Sequence, residues 1–346
     1  MRMVDAVDDG RFHRERRAEI LRDRPEVKRL FGNSVRTAYF AAGVVAGQFT
    51  LAAAVADQPW WVVLIASYGV GAFASHYLNV VMHECAHNLV LRSTALNKAI
   101  AIFANLPALT PGAISFRHYH LLHHRFLGRR GLDADVAMPW EVRLVGRSPF
   151  CKFLWLLAQP FTYGILHPLQ VRRRIPFDGW LAANIAVVAG AAVAVTLVFG
   201  PQSLLYLGLS SYFSLGPHPT GAHVLQEHFI FEGDGETTSY YGPMNAISIN
   251  HGLHLEHHDF PNVPGAKLAE LRRIAPQHYG GRFHHRSRLE TIWRFVMDRR
   301  IALDTRAVRI ETSARLELSS FGRELAYSPE VAQDEFMTRL SATGGS

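Results

Sequence analysis

Long apolar runs separated by polar, arginine-rich segments are the main pattern along this chain. About 20 consecutive apolar residues are needed to cross the hydrocarbon core of a bilayer, and four runs approach that length. Short turns at residues 57–59 and 200–202 would pair these runs into two hairpins. Trp60 and Trp61, which open the second run, are typical of a membrane interface. The predicted spans are residues 35–56, 60–82, 177–199 and 203–223, and the Gly-Pro-His-Pro sequence at residues 216–219 is expected to break or kink the last one.

The segments around these spans predict the remaining parts of an all-α integral membrane protein. Residues 98–114 and 150–166 are apolar but interrupted by prolines, which favours helices that lie at the membrane surface. Residues 1–34 form a basic, amphipathic N-terminal segment that is expected to face solvent or lipid head groups. We therefore expect a membrane domain over residues 35–300 and a polar C-terminal tail over residues 301–346.

Charge predicts the orientation of the chain in the membrane. Of the 346 residues, 19% are charged, the formal net charge is +7, and the two predicted turns carry no lysine or arginine. Since basic segments stay on the cytoplasmic side, we expect both termini and the central loop in the cytosol. A basic protein could also bind nucleic acid, but the apolar runs favour a membrane partner instead. Cys85 and Cys151 are too few for a disulfide framework or a cysteine-rich zinc site.

The segment HECAHN at residues 83–88 allows two interpretations. Two histidines four residues apart, with a glutamate after the first, form the HExxH pattern of zinc proteases, in which Glu84 would act as general base. This hypothesis predicts one zinc ion per chain and no role for His257 or His258. The same spacing also suits one part of a larger histidine cluster that holds a different metal.

Further histidines occur in boxes like the first, each at an expected cytosolic end of a membrane segment. Positions i, i+3 and i+4 of a helix share a face, so each box can direct two or three imidazoles at one point. Eight histidines exceed the three protein ligands of a catalytic zinc ion, and two metal ions accommodate them naturally. Neutral imidazole suits iron, zinc, copper and nickel alike. The boxes contain His83 and His87, then His120, His123 and His124, and finally His254, His257 and His258.

Other residues near the boxes are candidates for ligands or supports. His228 is a ninth candidate ligand, since it follows the fourth run and adjoins Glu227, which could orient its ring. We expect His223 to support the site or the core. Nearby carboxylates would offset metal charge and fix ring tautomers, although a cap or a turn is an equal alternative for the aspartates. The other carboxylates are Glu84, Glu256, Asp133, Asp135 and Asp259, while structural roles are expected for His118, His218 and His251, and solvated positions for His13, His278, His284 and His285.

Three segments, HECAHN, HYHLLHHRFLG and HLEHHDFPNVPG, contain the boxes and resemble those of the membrane fatty-acyl desaturases and hydroxylases. Flanking segments, including SLGPHPTGAHVLQEHFIF and TTSYYGPMNAISINHG, are similar to one branch, the sphingolipid Δ4-desaturases. The resemblance extends from about residue 12 to about residue 298, and Leu255 and His251 are departures from the family pattern.

The resemblance implies a di-iron enzyme in which the eight box histidines bind two iron ions and His228 matches a further ligand. Such an enzyme uses O₂ to remove hydrogens from C4 and C5 of a sphingoid chain, which leaves a trans double bond in dihydroceramide or a related lipid. A lipid C4-hydroxylase or a fatty-acyl desaturase would have the same centre. No nicotinamide, flavin or iron–sulfur motif occurs, which implies electrons from a separate ferredoxin or cytochrome b5.

A metal-binding or transport protein without enzymatic activity is a third hypothesis. It would need polar ligands inside the membrane, and the candidates there are Gln48, His76 and Asn79. The oligomeric state has no signature in the sequence.

Overall fold

The computed structural model describes residues 11–233 and 235–309, and almost all of its regular structure is helical. Strands β1 (Ser239–Tyr240) and β2 (His284–His285) pair in parallel. Short 3-10 or π-helical segments cover Pro25–Leu30, Ser67–Gly71, Leu106–Ala108, Thr162–Leu166, Pro243–Ile247 and Leu303–Thr305. The α-helices are α1 Arg11–Asp23, α2 Arg36–Ala54, α3 Trp60–Ala66, α4 Ala72–Ala86, α5 Thr94–Ala104, α6 Ala113–Arg125, α7 Pro139–Val145, α8 Pro149–Phe161, α9 His167–Gln170, α10 Gly179–Phe199, α11 Pro201–Leu215, α12 His223–His228, α13 His254–Asp259, α14 Gly265–Ile274, α15 Pro276–Tyr279 and α16 Arg288–Met297.

Three helical stretches are long and apolar enough to cross a membrane. Backbone polar groups cannot be left unpaired in lipid, so apolar runs of this length fold as helices. The second stretch combines α3 and α4 through the π-helical turn at Ser67–Gly71. Each stretch coincides with a predicted span, which confirms an all-α, multi-pass membrane protein. The three are Arg36–Ala54, Trp60–Ala86 and Gly179–Phe199.

The helix at the fourth predicted span is shorter than expected. α11 has 15 residues and ends at Leu215, so the predicted end at residue 223 is wrong. A Gly-Pro-His-Pro sequence follows, and proline lacks the N–H that would continue the helix. The predicted surface segment 98–114 falls in a bent pair, Thr94–Ala108 and Ala113–Arg125, whose helices meet at 116°. By length and composition the described chain has three crossing helices, or four if this bent pair is one span.

Buried polar side chains join α2, α4 and α11 inside the apolar bundle. Gln48 donates hydrogen bonds to Ser75 Oγ (2.8 Å) and to Gly71 O (3.2 Å), and it accepts one from Tyr206 (2.7 Å). Glycine is required at position 71, because a Cβ there would lie 2.0 Å from a serine hydroxyl of α11. Asn79 Nδ2 donates to another serine of α11 at 3.3 Å. Gln48 and Asn79, two of the ligands that a transporter would need, therefore hold helices together.

One face of α1 packs against the last third of the chain, and the opposite face is exposed. Ile20 of α1 is fully buried in a cluster with Leu268 of α14. The polar side chains of His13, Arg16 and Arg17 are also buried. The solvated position predicted for His13 is thus wrong, whereas the opposite face of α1 is open to solvent or lipid head groups.

Two further histidines that were expected in solvent are largely covered. His285 is 5% exposed, and its ring packs edge-on against Phe231. The side chain of His278 is 8% exposed, and its Nε2 lies 3.0 Å from Asp23 Oδ2. Polar neighbours in sequence misled the prediction, because α1 and α16 cover these segments in three dimensions.

Residues 301–309 belong to the packed domain, although their sequence was assigned to a polar tail. Ile301 is buried in the same hydrophobic cluster as Trp155. The compact unit continues to Arg309. The predicted boundary at residue 300 is therefore too early, because the charged residues of this segment are paired inside the domain; residues 310–346 lie outside the described chain.

Candidate metal centre

The first histidine box lies at the C-terminal end of the second membrane helix. His83 and His87 are one turn apart, and the last carbonyls of α4 have no partner further along the helix. Arg117 of α6 fills this gap by donating hydrogen bonds to Cys85 O (2.9 Å) and to Ala86 O. The guanidinium therefore caps α4 and fixes the first box relative to the helix that carries the second.

Five imidazoles drawn from all three boxes converge at this point, and we call them the five-histidine group. His83, His87, His120, His124 and His257 each offer one nitrogen, and these nitrogens lie within 4.8 Å of one another. Nε2 of His87 is 2.8 Å from Nε2 of His120, and the corresponding atoms of His124 and His257 are 3.1 Å apart. Both ring nitrogens of His83 are buried without a hydrogen-bond partner in the described structure.

Four more imidazoles form a second set, the four-histidine group. His123, His228, His254 and His258 are all buried, and their nitrogens again lie within 4.8 Å of one another. Nε2 of His228 is 3.0 Å from Nε2 of both His123 and His254. His124 stacks on His258 with ring centroids 4.2 Å apart, so the two groups are adjacent. Together the groups contain all nine histidines that the sequence nominated.

The second and third boxes are each divided between the two groups, whereas one point per box was expected. In α6, His120 and His124 join the five-histidine group and His123 joins the other. In α13, His254 and His258 join the four-histidine group, and the middle histidine of the box joins the five. Positions i and i+4 differ by about 40° around a helix axis and position i+3 lies about 100° from i+4. One short helix can therefore serve two adjacent sites.

Hydrogen bonds determine which ring nitrogens carry lone pairs in the four-histidine group. His123 Nδ1 donates to Asp133 Oδ1 (3.0 Å), and His228 Nδ1 donates to Glu236 O (3.1 Å). Burial lowers the pKa of His228 well below its ordinary value, which keeps the ring neutral. Burial acts to lower the pKa of His123, but the pKa is raised overall because Asp133 and Asp135 stabilise the charged ring. When the His123 ring is neutral as well, the two Nε2 atoms carry lone pairs that face each other at 3.0 Å with no proton between them. A shared cation makes this contact favourable.

The nitrogen separations also match metal coordination. Metal–imidazole bonds are about 2.0–2.1 Å long, and two such bonds at a right angle place their nitrogens about 3 Å apart. The Nε2 pairs within the groups are separated by 2.8 to 3.1 Å. Burial lowers the pKa of His254, His257 and His258 well below the ordinary value, so these rings are neutral ligands. The nine donors therefore fit two transition-metal ions, one in each group.

Asp133 is the most firmly held carboxylate at the site. Besides His123, it accepts a hydrogen bond from Gly128 N (2.7 Å), and Arg306 Nη2 lies 3.5 Å from its Oδ2. Burial acts to raise the pKa of Asp133, but the pKa is lowered overall because His123 and Arg306 stabilise the carboxylate. The sequence left Asp133 as a ring partner or a turn residue, and in the structure it both binds the His123 ring and accepts a hydrogen bond within its own turn. Arg306 was missed because it lies in the presumed tail.

Glu227 and Glu256 take other positions than expected. Glu227 was predicted to orient His228, but its Oε1 lies 3.8 Å from Nδ1 of His254. Burial raises the pKa of Glu227 to about 8. Glu256 accepts a hydrogen bond from the Tyr241 hydroxyl (2.8 Å) and so anchors the segment after β1 to α13. Adjacency in sequence was misleading, since neighbouring residues on a helix point in different directions.

Glu84 does not take the position that a zinc protease would require. Its Oε2 accepts a hydrogen bond from Gly265 N (3.0 Å) at the start of α14. Glycine is needed there, because a Cβ would lie 2.4 Å from Ile249 O. Among the described residues, the two histidines of HECAH join three imidazoles from the other boxes, which is more donors than the three protein ligands of a catalytic zinc ion. This geometry favours the histidine cluster over the protease hypothesis.

Asp259 connects the third box to the N-terminal helix. His13 Nδ1 donates to Asp259 Oδ1 (2.8 Å), and Arg16 binds the same carboxylate through Nη2 (2.9 Å) and Nε (3.1 Å). The carboxylate is fully buried, and the His13 ring packs 5.1 Å from the ring of His258. The sequence left Asp259 as a cap or a support. Its partners were missed because no local signal joins residues more than 240 positions apart.

His223 lies outside both groups, as its expected supporting role allows. Its Nδ1 donates a hydrogen bond to Thr220 O (2.7 Å), and its ring packs 5.0 Å from the ring of His76. His118, for which a structural role was expected, has its Nε2 3.0 Å from Arg173 O and so ties α6 to the chain after α9.

Comparison with known proteins identifies the family. The family described as fatty acid desaturase matches residues 58–288, a range that contains all nine histidines. The chain belongs to the fatty acid desaturase family. As a desaturase it is an oxidoreductase, and both the family and the histidine groups imply oxygen-dependent chemistry at metal.

Individual relatives of this desaturase are similar over most of their length. A rice protein named sphingolipid delta(4)-desaturase DES1-like is 37% identical over 297 residues, which cover 86% of this chain and 90% of the relative. The human sphingolipid delta(4)-desaturase/C4-monooxygenase DES2 is 36% identical over 312 residues, 88% of this chain and 94% of the relative. The Drosophila melanogaster sphingolipid delta(4)-desaturase DES1 is 36% identical over 288 residues, 83% and 89% respectively.

Proposed function

We propose that this desaturase uses two iron ions and O₂ to introduce a trans double bond between C4 and C5 of the sphingoid chain of dihydroceramide or a related sphingolipid. The observation that carries the proposal is the convergence of nine imidazoles in two adjacent groups. The printed names of the rice, human and fly relatives support the substrate class.

Each histidine group would hold one iron ion. The five-histidine group supplies His83, His87, His120, His124 and His257, and the four-histidine group supplies His123, His228, His254 and His258. Asp133 and the Glu236 carbonyl would keep the Nδ1 protons of their partner rings in place, so that the Nε2 lone pairs stay directed at the metal. Asp259 would hold α13 through its bonds to α1, while Glu84, Glu256 and His223 support the surrounding elements. Glu227 would place a carboxyl group beside the ring of His254.

Bound iron and O₂ would supply the oxidant that an unactivated C–H bond requires, since amino-acid side chains alone cannot provide it. One hydrogen leaves each of two adjacent methylenes, and with two donor electrons and two protons the O₂ is reduced to two waters. The chain contributes a fixed and water-poor centre, because every ring of the four-histidine group is at most 6% exposed.

Electrons would come from a separate ferredoxin or cytochrome b5. The sequence contains no nicotinamide, flavin or iron–sulfur motif that could deliver them within the chain. The arginine-rich segments outside the spans would attract an acidic donor or lipid phosphates.

The metal centre and both termini would face the cytosol. The basic residues of the N-terminal, central and C-terminal segments support this orientation. α11 would complete the second hairpin with α10, since the two helices are joined directly at Gly200 in a left-handed turn with φ of +83°.

Hydroxylation at C4 is a second candidate, and one observation favours it. The human relative is named as both a delta(4)-desaturase and a C4-monooxygenase. Both outcomes begin with loss of hydrogen at C4, and they differ in whether a second hydrogen leaves or a hydroxyl is added. The same metal centre would serve either outcome.

Lipid mass spectrometry of cells that express this chain, fed with isotopically labelled dihydroceramide, tests the proposal. Loss of two hydrogens from the sphingoid portion is the expected result, and gain of one oxygen there would identify the hydroxylase. His257→Ala should abolish either product, whereas His118→Ala, which changes a histidine outside both groups, should keep it. An unchanged sphingoid portion with altered fatty acids would overturn the substrate assignment and indicate a fatty-acyl desaturase.

A further inference from the structure

A second polar cluster lies directly beside the metal-binding histidines. The rings of His76, His223 and His251 are mutual neighbours, with centroids 5.0, 5.4 and 5.9 Å apart. The ring of His251 also lies 5.0 Å from that of His83 in the five-histidine group. Among the described residues, none of these three histidines belongs to either metal group. Their convergence therefore has a cause other than the two metal ions.

Glu227 and Arg288 complete this arrangement. Oε1 of Glu227 lies 3.5 Å from Nδ1 of His251. Arg288, at the start of α16, is 3% exposed, and its guanidinium lies 4.6 Å from the centre of the Tyr240 ring. It is close enough to Glu227, His76 and His251 to interact electrostatically with each of them. We use the name polar cluster for His76, His223, His251, Glu227 and Arg288.

Many polar atoms of this cluster are buried and have no hydrogen-bond partner in the described structure. They are Nδ1 of His76, Nδ1 of His251, Oε1 of Glu227, and Nε and Nη1 of Arg288. Buried polar groups in folded proteins are nearly always paired, because an unmade hydrogen bond destabilises the fold. Donors and acceptors left unpaired together, next to a metal centre, indicate a place where a polar ligand binds.

The proposed reaction places such a ligand at this position. C4 of a sphingoid chain is bonded to C3, which carries a hydroxyl, and C2 carries the amide nitrogen. When C4 is at the metal centre, these groups must lie beside the centre, where apolar surroundings would leave them unpaired. A desaturase that acts in the middle of an acyl chain has no such requirement.

We propose that the polar cluster binds the C3 hydroxyl and the amide of the sphingoid head and thereby selects the carbon pair that reacts. This inference rests on the proposed function and adds a binding site to it. The Glu227 carboxyl oxygen offers an acceptor to the hydroxyl, and the Arg288 guanidinium offers donors to the amide carbonyl. Fixing the head at a set distance from the metal-binding rings sets the register of the chain.

Binding of two ligands to the iron-loaded protein in lipid nanodiscs tests the inference. The ligands are dihydroceramide and its analogue without the C3 hydroxyl, and both are measured without O₂ so that no turnover occurs. The wild-type protein should bind the hydroxylated ligand about tenfold more tightly, as expected when buried partners lose one hydrogen bond. Equal affinity of the wild-type protein for both ligands would overturn the inference.

Two variants locate the discrimination in the polar cluster. Arg288→Met and His76→Leu remove unpaired polar atoms while roughly conserving volume, and neither residue belongs to a metal group. In each variant, the ratio of the affinity for dihydroceramide to the affinity for the analogue without the C3 hydroxyl should fall close to one. Each variant should still contain two iron ions per chain. His285→Leu is the matched control, because His285 is also a buried histidine with an unpaired nitrogen but packs against Phe231 instead. An unchanged tenfold ratio in both variants would contradict the assignment.

The test separates this inference from the proposed function. In one outcome, binding depends on the hydroxyl and requires Arg288 or His76, but dihydroceramide stays unconverted when O₂ and electrons are provided. This outcome would support the binding site and contradict the reaction. Conversion of dihydroceramide by a wild-type protein that binds both ligands equally would support the reaction and overturn the binding site.

Discussion

The two histidine groups are held in place by different means. The five-histidine group is carried mainly by longer helices, α4 and α6, and Arg117 links them by capping the end of α4. The four-histidine group depends on α12 and α13, which have six residues each. Helices this short cannot be positioned by their own packing faces.

Polar contacts to distant parts of the chain compensate for the short helices. Asp133 binds the ring of His123 and is itself approached by Arg306 from the C-terminal end of the described chain. Asp259, next to His258, is bound by His13 and Arg16 from the N-terminal helix. Both ends of the domain therefore stabilise the same group, and the five-histidine group should be less sensitive to changes there.

Removing a ligand of the four-histidine group should have the largest effect. His228→Ala deletes a ring whose Nε2 lies 3.0 Å from those of two other members. We expect the iron content to fall from two ions per chain to about one, with desaturation reduced by about 1,000-fold or more, since removal of an essential catalytic group has effects of that order. Metal analysis and product quantification measure this; full iron and activity would exclude His228 as a ligand. His118→Ala, which changes a histidine outside both groups and outside the polar cluster, serves as the control.

Breaking the buried ion pair at Asp259 should mainly affect stability. Arg16→Met removes the two Arg16 hydrogen bonds from a buried carboxylate, which keeps the one from His13, and loss of one partner from a buried pair costs about 3–5 kcal/mol. Thermal unfolding in detergent should show a clear decrease in the transition temperature. Arg22→Met changes an exposed arginine of the same helix and should leave unfolding unaltered. Equal behaviour of the two variants would mean that α1 does not support the third box.

Neutralising Asp133 should weaken one metal site and not the other. Asp133→Asn removes the charge that faces Nδ1 of His123, and loss of such an outer partner typically costs about 10–100-fold in metal affinity. In a titration with a chelator, one iron ion should therefore be released at a lower chelator concentration than in the wild-type protein. The second iron ion should be released at the same chelator concentration as in the wild-type protein. Asp135→Asn, with the carboxylate 3.5 Å away and 33% exposed, should show a smaller change. Simultaneous release of both ions would contradict separate support of the groups.

Glu84→Gln should have the smallest effect. The carbonyl oxygen of glutamine can still accept the hydrogen bond from Gly265 N, so the iron content and activity should stay within about threefold of wild type, because no buried hydrogen bond is lost. A zinc protease would instead lose its general base and all activity. Loss of desaturation by several orders of magnitude with iron retained would show that Glu84 takes part in the chemistry.

Local sequence patterns predicted the ligands better than the supports. The spacing of His120 and His124, or of His254 and His258, is set by one turn of helix and is visible in the sequence. The division of each box between two groups was missed, because it depends on how α6 and α13 face each other. His228 was nominated by its place after the fourth run, by its adjacency to Glu227 and by the family resemblance.

The membrane spans, and the residues that hold the histidine groups in place, show the same limit of prediction from local sequence. Apolar length identified three spans, but the early end of α11 at Leu215 depended on a proline-rich turn that hydropathy alone underestimates. The roles of His13, Arg16 and Arg306 come from contacts with residues 173 to 246 positions away. No pattern within a helix or a loop reveals contacts between such distant residues. Basic residues that looked solvated in the sequence, including Arg16 and Arg306, therefore proved to be buried.

Metal analysis of the purified wild-type protein tests the central claim most directly. Two iron ions per chain, with a Mössbauer spectrum of nitrogen-rich coordination, are the result expected from nine imidazoles divided into groups of five and four. A single ion per chain, or one zinc ion with no iron, would contradict it.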